Sequence, residues 1–208
     1  MRYRALIPVK SLDEAKSRLA AHLTPDQRAA LVLDMLHHIL YVLRASKAFE
    51  QISVVSADEH VLERAHLWGA QPLREEQQGH NPALHMAALK ALDAGASALL
   101  TISADLPLLD INDIWDMVEK SRCHDIVLAP SQDNTGTNAL LVHPPLAVPY
   151  MFGPGSLQRF ITEAKERQLR WTLHQSLGLS LDIDTIDDIA IARRYEKECR
   201  AMHACFHL

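Results

Sequence analysis

A mixed, mostly parallel α/β sheet flanked by helices is the fold class this sequence predicts, and three observations carry it. Short apolar or β-branched runs alternate with helix-length amphipathic segments along most of the chain. The run from Ala98 to Ser103 is almost continuously apolar, as a strand covered on both faces must be. The alternation breaks once, where Asn138 to Val142 follows a glycine-containing loop instead of a helix, so an antiparallel or mixed element is expected there. A chain of 208 residues can bury one substantial core, and no repeat or Pro/Gly/Ser linker divides it. One domain over residues 1–200, followed by a tail at 201–208, is the expected organisation.

Tyr3 to Pro8 reads as the first strand. Thr24, Pro25 and Gln27 supply the N-cap, the first-turn proline and the capping-box partner of a helix reaching about Arg44. Gln51 to Val55 makes a second strand, Asp58 to Trp68 a helix stopped by Gly69, and Gln71 to Leu73 a short third strand. Asn81 with Pro82 is expected to cap the next helix, which ends near Gly95. After the apolar strand, Asp110 caps a further helix and Asp125 to Ala129 repeats the strand pattern. Beyond the glycine loop, Ser156 to Gln168 is helical with Ser156 as its cap. Leu169 to Leu173 and Leu179 to Leu181 are strand candidates, and Thr185 caps a last helix to about Arg200.

Composition narrows the function classes. With 48% apolar and 23% charged residues and a formal charge of −5, the chain is an ordinary soluble globular protein and a poor nucleic-acid ligand. The apolar start is too short for a signal peptide, and no run is expected to approach the roughly 20 residues that cross a bilayer, so a cytoplasmic protein without a membrane partner is predicted. Cys123, Cys199 and Cys205 are odd in number and widely spaced, unlike a disulfide framework or a zinc pattern. His203, Cys205 and His207 alternate in the tail, where a frayed terminus is the simpler reading because closed zinc sites need four ligands. His37 and His38 lie among apolar neighbours and read as packed or surface histidines. Trp68, Trp115 and Trp171 read as core or interface anchors. Phe206 and the long first helix are candidates for a dimer interface.

Chemistry concentrates in a few segments. The stretch IPVKSLDEAKSRL, from Ile7 to Leu19, places Lys10, Lys16 and Arg18 with the hydroxyls of Ser11 and Ser17 just past a strand, a composition suited to polyanionic phosphates. It holds no glycine, which excludes a P-loop. Asp105 lies at the carboxyl end of the apolar strand, facing the usual ligand crevice of an α/β sheet, and is a metal-ligand candidate; the other reading is a turn aspartate bonding local amides. Asp182 and Asp184 alternate in LSLDIDTIDDI, with one expected to face the cleft and the other to point away. Asp187 and Asp188 read as first-turn helix acids. Carboxylates from two chain segments suit magnesium. The loops NTGTN, Asn134 to Asn138, and FGPGS, Phe152 to Ser156, could each cradle an anion or serve as plain turns.

Taken in order, PVKSLDEAKSRL, NPAL, ADLPLL, GTNALLV, FGPGS and LDIDTIDDI resemble the CofC/FbiD family of guanylyltransferases of coenzyme F-420 biosynthesis over nearly the whole chain. The resemblance implies a single-domain GT-A-like nucleotidyltransferase, of the nucleotide-diphospho-sugar transferase fold, that joins GTP to a small phosphorylated three-carbon acid and releases pyrophosphate. It implies that Lys10, Lys16 and Arg18 hold the triphosphate, that Ser17 and Asn81 contact the nucleotide, and that Asp105 with Asp182 or Asp184 holds Mg2+. Thr137, Gly153 and Ser156 would bind the acceptor, which is phosphoenolpyruvate, 3-phospho-D-glycerate or 2-phospho-L-lactate, and a downstream transferase would take the product. Asn138 occupies a position that varies within the family, which leaves the acceptor open. Two competing readings are a related nucleotidyltransferase with another acceptor, which typically opens with a glycine-rich loop absent here, and a catalytically silent GTP-binding regulator, against which the acids at both sites argue.

Overall fold

The computed structural model describes residues 1–205, with side-chain detail as far as Tyr195. Seven strands, β1 (Tyr3–Pro8), β2 (Gln51–Ser56), β3 (Gln71–Arg74), β4 (Ala98–Ile102), β5 (Ile126–Pro130), β6 (Thr137–Val142) and β7 (Trp171–Leu173), form one sheet in the order β3-β2-β1-β4-β6-β5-β7. All neighbouring pairs are parallel except those made by β6, which runs antiparallel to both β4 and β5. The expected break in alternation is therefore a single reversed strand near the sheet centre. Its consequence for the site is direct: because β6 is reversed, its first residues emerge at the edge where β4 ends, with Ile102 paired to Ala139.

Helices α1 (Pro25–Ser46), α2 (Glu59–Leu67) and α4 (Ile111–Lys120) cover one face of the sheet, and α3 (His80–Asp93) and α5 (Ser156–Glu166) the other. Leu36, Ile39 and Leu40 share a cluster with Ala5, Ile7 and Val54, while Leu84, Ala88 and Phe160 share one with Leu6, Leu99 and Leu128. Successive residues of β1 and β4 thus serve opposite layers, as a strand buried on both faces requires. The capping box at Thr24 forms as expected, with Gln27 N–H donating to Thr24 Oγ1 at 3.3 Å and Thr24 N–H donating to Gln27 Oε1 at 2.9 Å. Contrary to the sequence expectation, α1 is long and apolar enough to cross a bilayer by length and composition. Its apolar stripe is instead consumed by the core, and Asp34, His37 and Arg44 lie along the same helix.

Three local expectations are corrected. Helix α3 starts at His80 after Gly79, whose φ of 106° suits glycine, so Asn81 lies inside the first turn and caps nothing. Helix α5 is preceded by Gly155 in the left-handed region, and Ser156 does not cap it. The segment Leu179 to Leu181 is not a strand: α6 (Leu177–Ser180) is one helical turn, fixed by Ser176 Oγ accepting from Leu179 N–H at 3.2 Å. Gly178 is needed there because a Cβ would meet the carboxylate of Asp113. Trp115 is a surface residue, 52% exposed, with its indole N–H donating to the Ser46 carbonyl at 3.1 Å. The last helix, α7 (Ile186–Cys205), runs into the expected tail. His37 is exposed, with its ring tilted against Trp68 at 4.8 Å, and the half-buried His38 has Nε2 2.9 Å from the Leu109 carbonyl oxygen, a surface and a packed histidine respectively. The side chains of Cys199, His203, Cys205, Phe206 and His207 lie outside the described residues.

Candidate active site

A cleft of about 1000 Å³ opens where β1 and β4 end and β6 begins. One wall is the cationic loop, Lys10 to Leu19, which folds without glycine. Asp58 anchors its entry: one carboxylate oxygen takes Leu12 N–H at 2.9 Å and the Ser11 hydroxyl at 3.4 Å, while the other caps α2. Arg28 of α1 donates to the Ala15 carbonyl at 2.9 Å, just before Lys16 adopts φ 52° and ψ 40°. A left-handed lysine costs about 1–2 kcal/mol, so the surrounding contacts must hold it there. Leu19, fully buried with Met35, Leu181 and Ile183, closes the loop against the segment that carries the second pair of acids.

That segment corrects a further expectation. Asp182 and Asp184 are two residues apart in extended backbone and therefore share a face, with Leu181 and Ile183 turned into the apolar cluster behind them. Both acids face Asp105, and one oxygen from each of Asp105, Asp182 and Asp184 lies within 4.8 Å of the others. Ser103 Oγ donates to Asp105 Oδ1 at 2.6 Å. Lys16 Nζ lies 2.5 Å from Asp105 Oδ2 and 3.1 Å from Asp184 Oδ1, and Arg18 Nη1 lies 2.9 Å from Asp184 Oδ2. Asp182 instead takes the Asn138 carboxamide, whose Nδ2 lies 3.2 Å from Asp182 Oδ1 and also donates to the Leu179 and Ser180 carbonyls.

Burial works against the charge of Lys16, but Asp105 and Asp184 outweigh it and hold the ammonium above its ordinary pKa. Burial, with Asp105 facing it, pushes the Asp182 carboxyl up. Three carboxylates with only part of their charge balanced are a hard-oxygen set, which fits a divalent cation such as magnesium or manganese.

The opposite wall is built differently. Thr137, Gly153 and Ser156 all line the cleft, and the buried Ser156 hydroxyl donates to Thr137 Oγ1 at 3.1 Å. The loop 151–155 depends on Gly153, at φ 118°, and Gly155, at φ 71°. Lys10 and Ser17 also line the cleft, whereas Asn81 is absent from its lining: both ends of its carboxamide bond the backbone of Phe152.

Sequence reasoning passed over several residues. His80 lines the cleft, and burial together with the Lys10 charge lowers its pKa. Asp133 lies at the mouth, held to about 2 by the Ser131 hydroxyl and the Thr135 amide and hydroxyl. Asp58 and Arg28 hold the cationic loop from distant segments. The sequence marks Asp58 only as the start of a helix, and nothing there marks the bonds of its second oxygen to the cationic loop.

The sheet order, with an acid-lined cleft at the strand ends, is that of the nucleotide-diphospho-sugar transferase fold. A solved Desulfovibrio desulfuricans protein described as a nucleotide-diphospho-sugar transferase superposes with a TM-score of 0.79 at 16% identity, covering 95% of this chain and 89% of that one. The 4-diphosphocytidyl-2C-methyl-D-erythritol synthase of Anaerococcus prevotii superposes with a TM-score of 0.63 at 14% identity, covering 94% and 98%. The family model of CofC-like guanylyl transferases matches residues 3–192, and the chain belongs to that family. It is 41% identical over 189 residues to a phosphoenolpyruvate guanylyltransferase of Rubrobacter xylanophilus, covering 89% of this chain and 91% of that protein. It is 34% identical over 190 residues to a 2-phospho-L-lactate guanylyltransferase of Methanothermobacter thermautotrophicus, covering 91% and 83%.

Proposed function

We propose that this protein transfers GMP from GTP to a small phosphorylated three-carbon acid with release of pyrophosphate, as a cytoplasmic step of coenzyme F-420 biosynthesis that feeds a downstream transferase. The acceptor is phosphoenolpyruvate, 3-phospho-D-glycerate or 2-phospho-L-lactate. The observation that carries this reading is the polarity of the cleft. Cations and three acids line one wall, and a hydroxyl pair with a glycine loop lines the other, so two anions can be held face to face.

In this mechanism an oxygen of the acceptor phosphate attacks the α-phosphorus of GTP, one P–O bond forms, and the bond to the β-phosphate bridging oxygen breaks. The attacking oxygen is already anionic near neutral pH, so no side chain need accept a proton. Lys10, Lys16 and Arg18 offset the repulsion between the two anions and the charge of departing pyrophosphate. Thr137, Gly153 and Ser156 hold the phosphate or carboxylate of the acid. A magnesium ion held by Asp105, Asp182 and Asp184 would supply Lewis-acid polarisation of the phosphates.

The test is incubation with GTP, magnesium and each of the three acids separately, with the downstream transferase present to draw off the unstable product, while pyrophosphate is measured. Release with one acid supports both reaction and acceptor. Silence with all three, from folded protein that binds GTP, would point to another acceptor or to a GTP-binding regulator.

A further inference from the structure

Asn81 sits at the second position of α3, where its side chain projects back toward the loop that precedes α5 rather than into the cleft. Its Nδ2 donates to the Phe152 carbonyl at 3.1 Å, and the Phe152 N–H donates to its Oδ1 at 2.9 Å. The two bonds reproduce the donor–acceptor pair that a neighbouring strand would offer, and together they fix the orientation of the amide. They also satisfy both polar groups of the one peptide residue directly before Gly153. From the other side Arg159 of α5 donates to the Pro154 carbonyl at 2.5 Å and to the Met151 carbonyl at 2.8 Å. The Phe152 ring is wedged among Tyr150, Phe160 and His80. A four-residue stretch with a glycine at φ 118° is thus gripped from outside the cleft by the side chains of Asn81 and Arg159, and its Phe152 ring packs against Tyr150 and Phe160 behind the cleft and against His80, which lines it.

We infer that Asn81 is a positioning residue of the acceptor wall, acting through the Phe152 backbone to hold Gly153 at the cleft, and not a nucleoside contact. The inference rests on the acceptor assignment made above. A loop with two glycines samples many conformations when released, and the lost binding then falls on whichever substrate the loop holds. The nucleotide wall is tied down by a separate set of contacts, from Asp58, Arg28 and Leu19, none of which passes through Asn81.

The experiment compares wild type with Asn81→Ala, Arg159→Met and the double variant. Amide hydrogen exchange is followed in free protein, and steady-state kinetics are measured with GTP and the active acid varied in turn. Removal of two backbone-directed hydrogen bonds is expected to raise the acceptor KM about tenfold, with the GTP KM within about twofold of wild type. Exchange should quicken across residues 151–157 and remain unchanged across residues 10–19. The double variant should fall short of the product of the single effects, because both residues grip one loop. A raised GTP KM with an unchanged acceptor KM would overturn the inference, and so would unchanged exchange in residues 151–157. If wild type is inert with all three acids the acceptor reading fails, and the exchange pattern alone still decides whether Asn81 holds the loop. A global loss of protection in Asn81→Ala shifts that decision to Arg159→Met, whose exposed side chain can be removed without opening the core.

Discussion

The two walls of the cleft, one proposed to hold the nucleotide and the other the acceptor, are built in opposite ways. The wall proposed for the nucleotide, from Lys10 to Leu19, has no glycine and carries its charges on side chains, of which Lys16 and Arg18 are paired with Asp105 and Asp184. The acceptor wall, from Met151 to Ser156, has two glycines, has no cation of its own, and is held by side chains that grip its backbone. The first wall is organised by electrostatics and must exchange ion pairs when ligands arrive. The second is organised by conformation and offers a fixed shape. Losses on the first should therefore fall mainly on turnover, and losses on the second mainly on acceptor affinity.

The largest effect should come from Asp105→Ala. Removing the acid that both follows β4 and pairs with Lys16 is expected to lower guanylyl transfer by about a thousandfold or more, with the fold retained by circular dichroism and thermal unfolding. Near-normal turnover by folded Asp105→Ala protein would sink the role assigned to that wall. Lys16→Met should follow, with kcat down by about a hundredfold and the acceptor KM changed little, as read from pyrophosphate release. If the acceptor KM moved as far as kcat, the division between the walls would be wrong.

Ser156→Ala and Thr137→Ala test the second wall. Each should raise the acceptor KM by about three- to thirtyfold and leave the GTP KM in place, and the pair should be non-additive because the two hydroxyls bond each other. The smallest effect is expected far from both walls, at the Asp125 to Arg170 pair beside β5 and β7. Arg170 holds the Asp125 carboxyl down to about 2, so its contribution to stability is complete above the ordinary carboxylate range and is lost as pH falls through about 2. Asp125→Asn should lower the melting temperature near neutral pH by about 2–4 °C and flatten its decline between about pH 4 and pH 2, with both KM values untouched. Thermal scans over that range, beside kinetics at neutral pH, check both statements.

Much of this protein was legible one residue at a time. Strands announced themselves by apolar runs, and Thr24, Asp58 and Asp110 marked helix starts through side chains that bond the nearest free amides. Asn81 and Ser156 misled for the same reason. Both are residue types that cap helices, but a glycine just before each helix, Gly79 or Gly155, takes the positive φ that the chain needs there, leaving the polar side chain free for a distant partner. Asp182 and Asp184 were found as a pair, yet their shared direction follows only when Leu181 and Ile183 are seen to point into the core.

What the sequence by itself determined is therefore the local and the periodic: the α/β class, the interruption that becomes β6, the cationic loop and the presence of three acids. Those depend on contacts between near neighbours, which spacing encodes. Tertiary structure alone decided which distant groups meet. The reversal of β6 brings Thr137 and Asn138 to the end of β4, Leu19 packs the cationic loop against Leu181 and Ile183, and Asn81 crosses to Phe152. The physical reason is that such meetings are fixed by how whole elements pack on the sheet, and no short stretch of chain contains both partners.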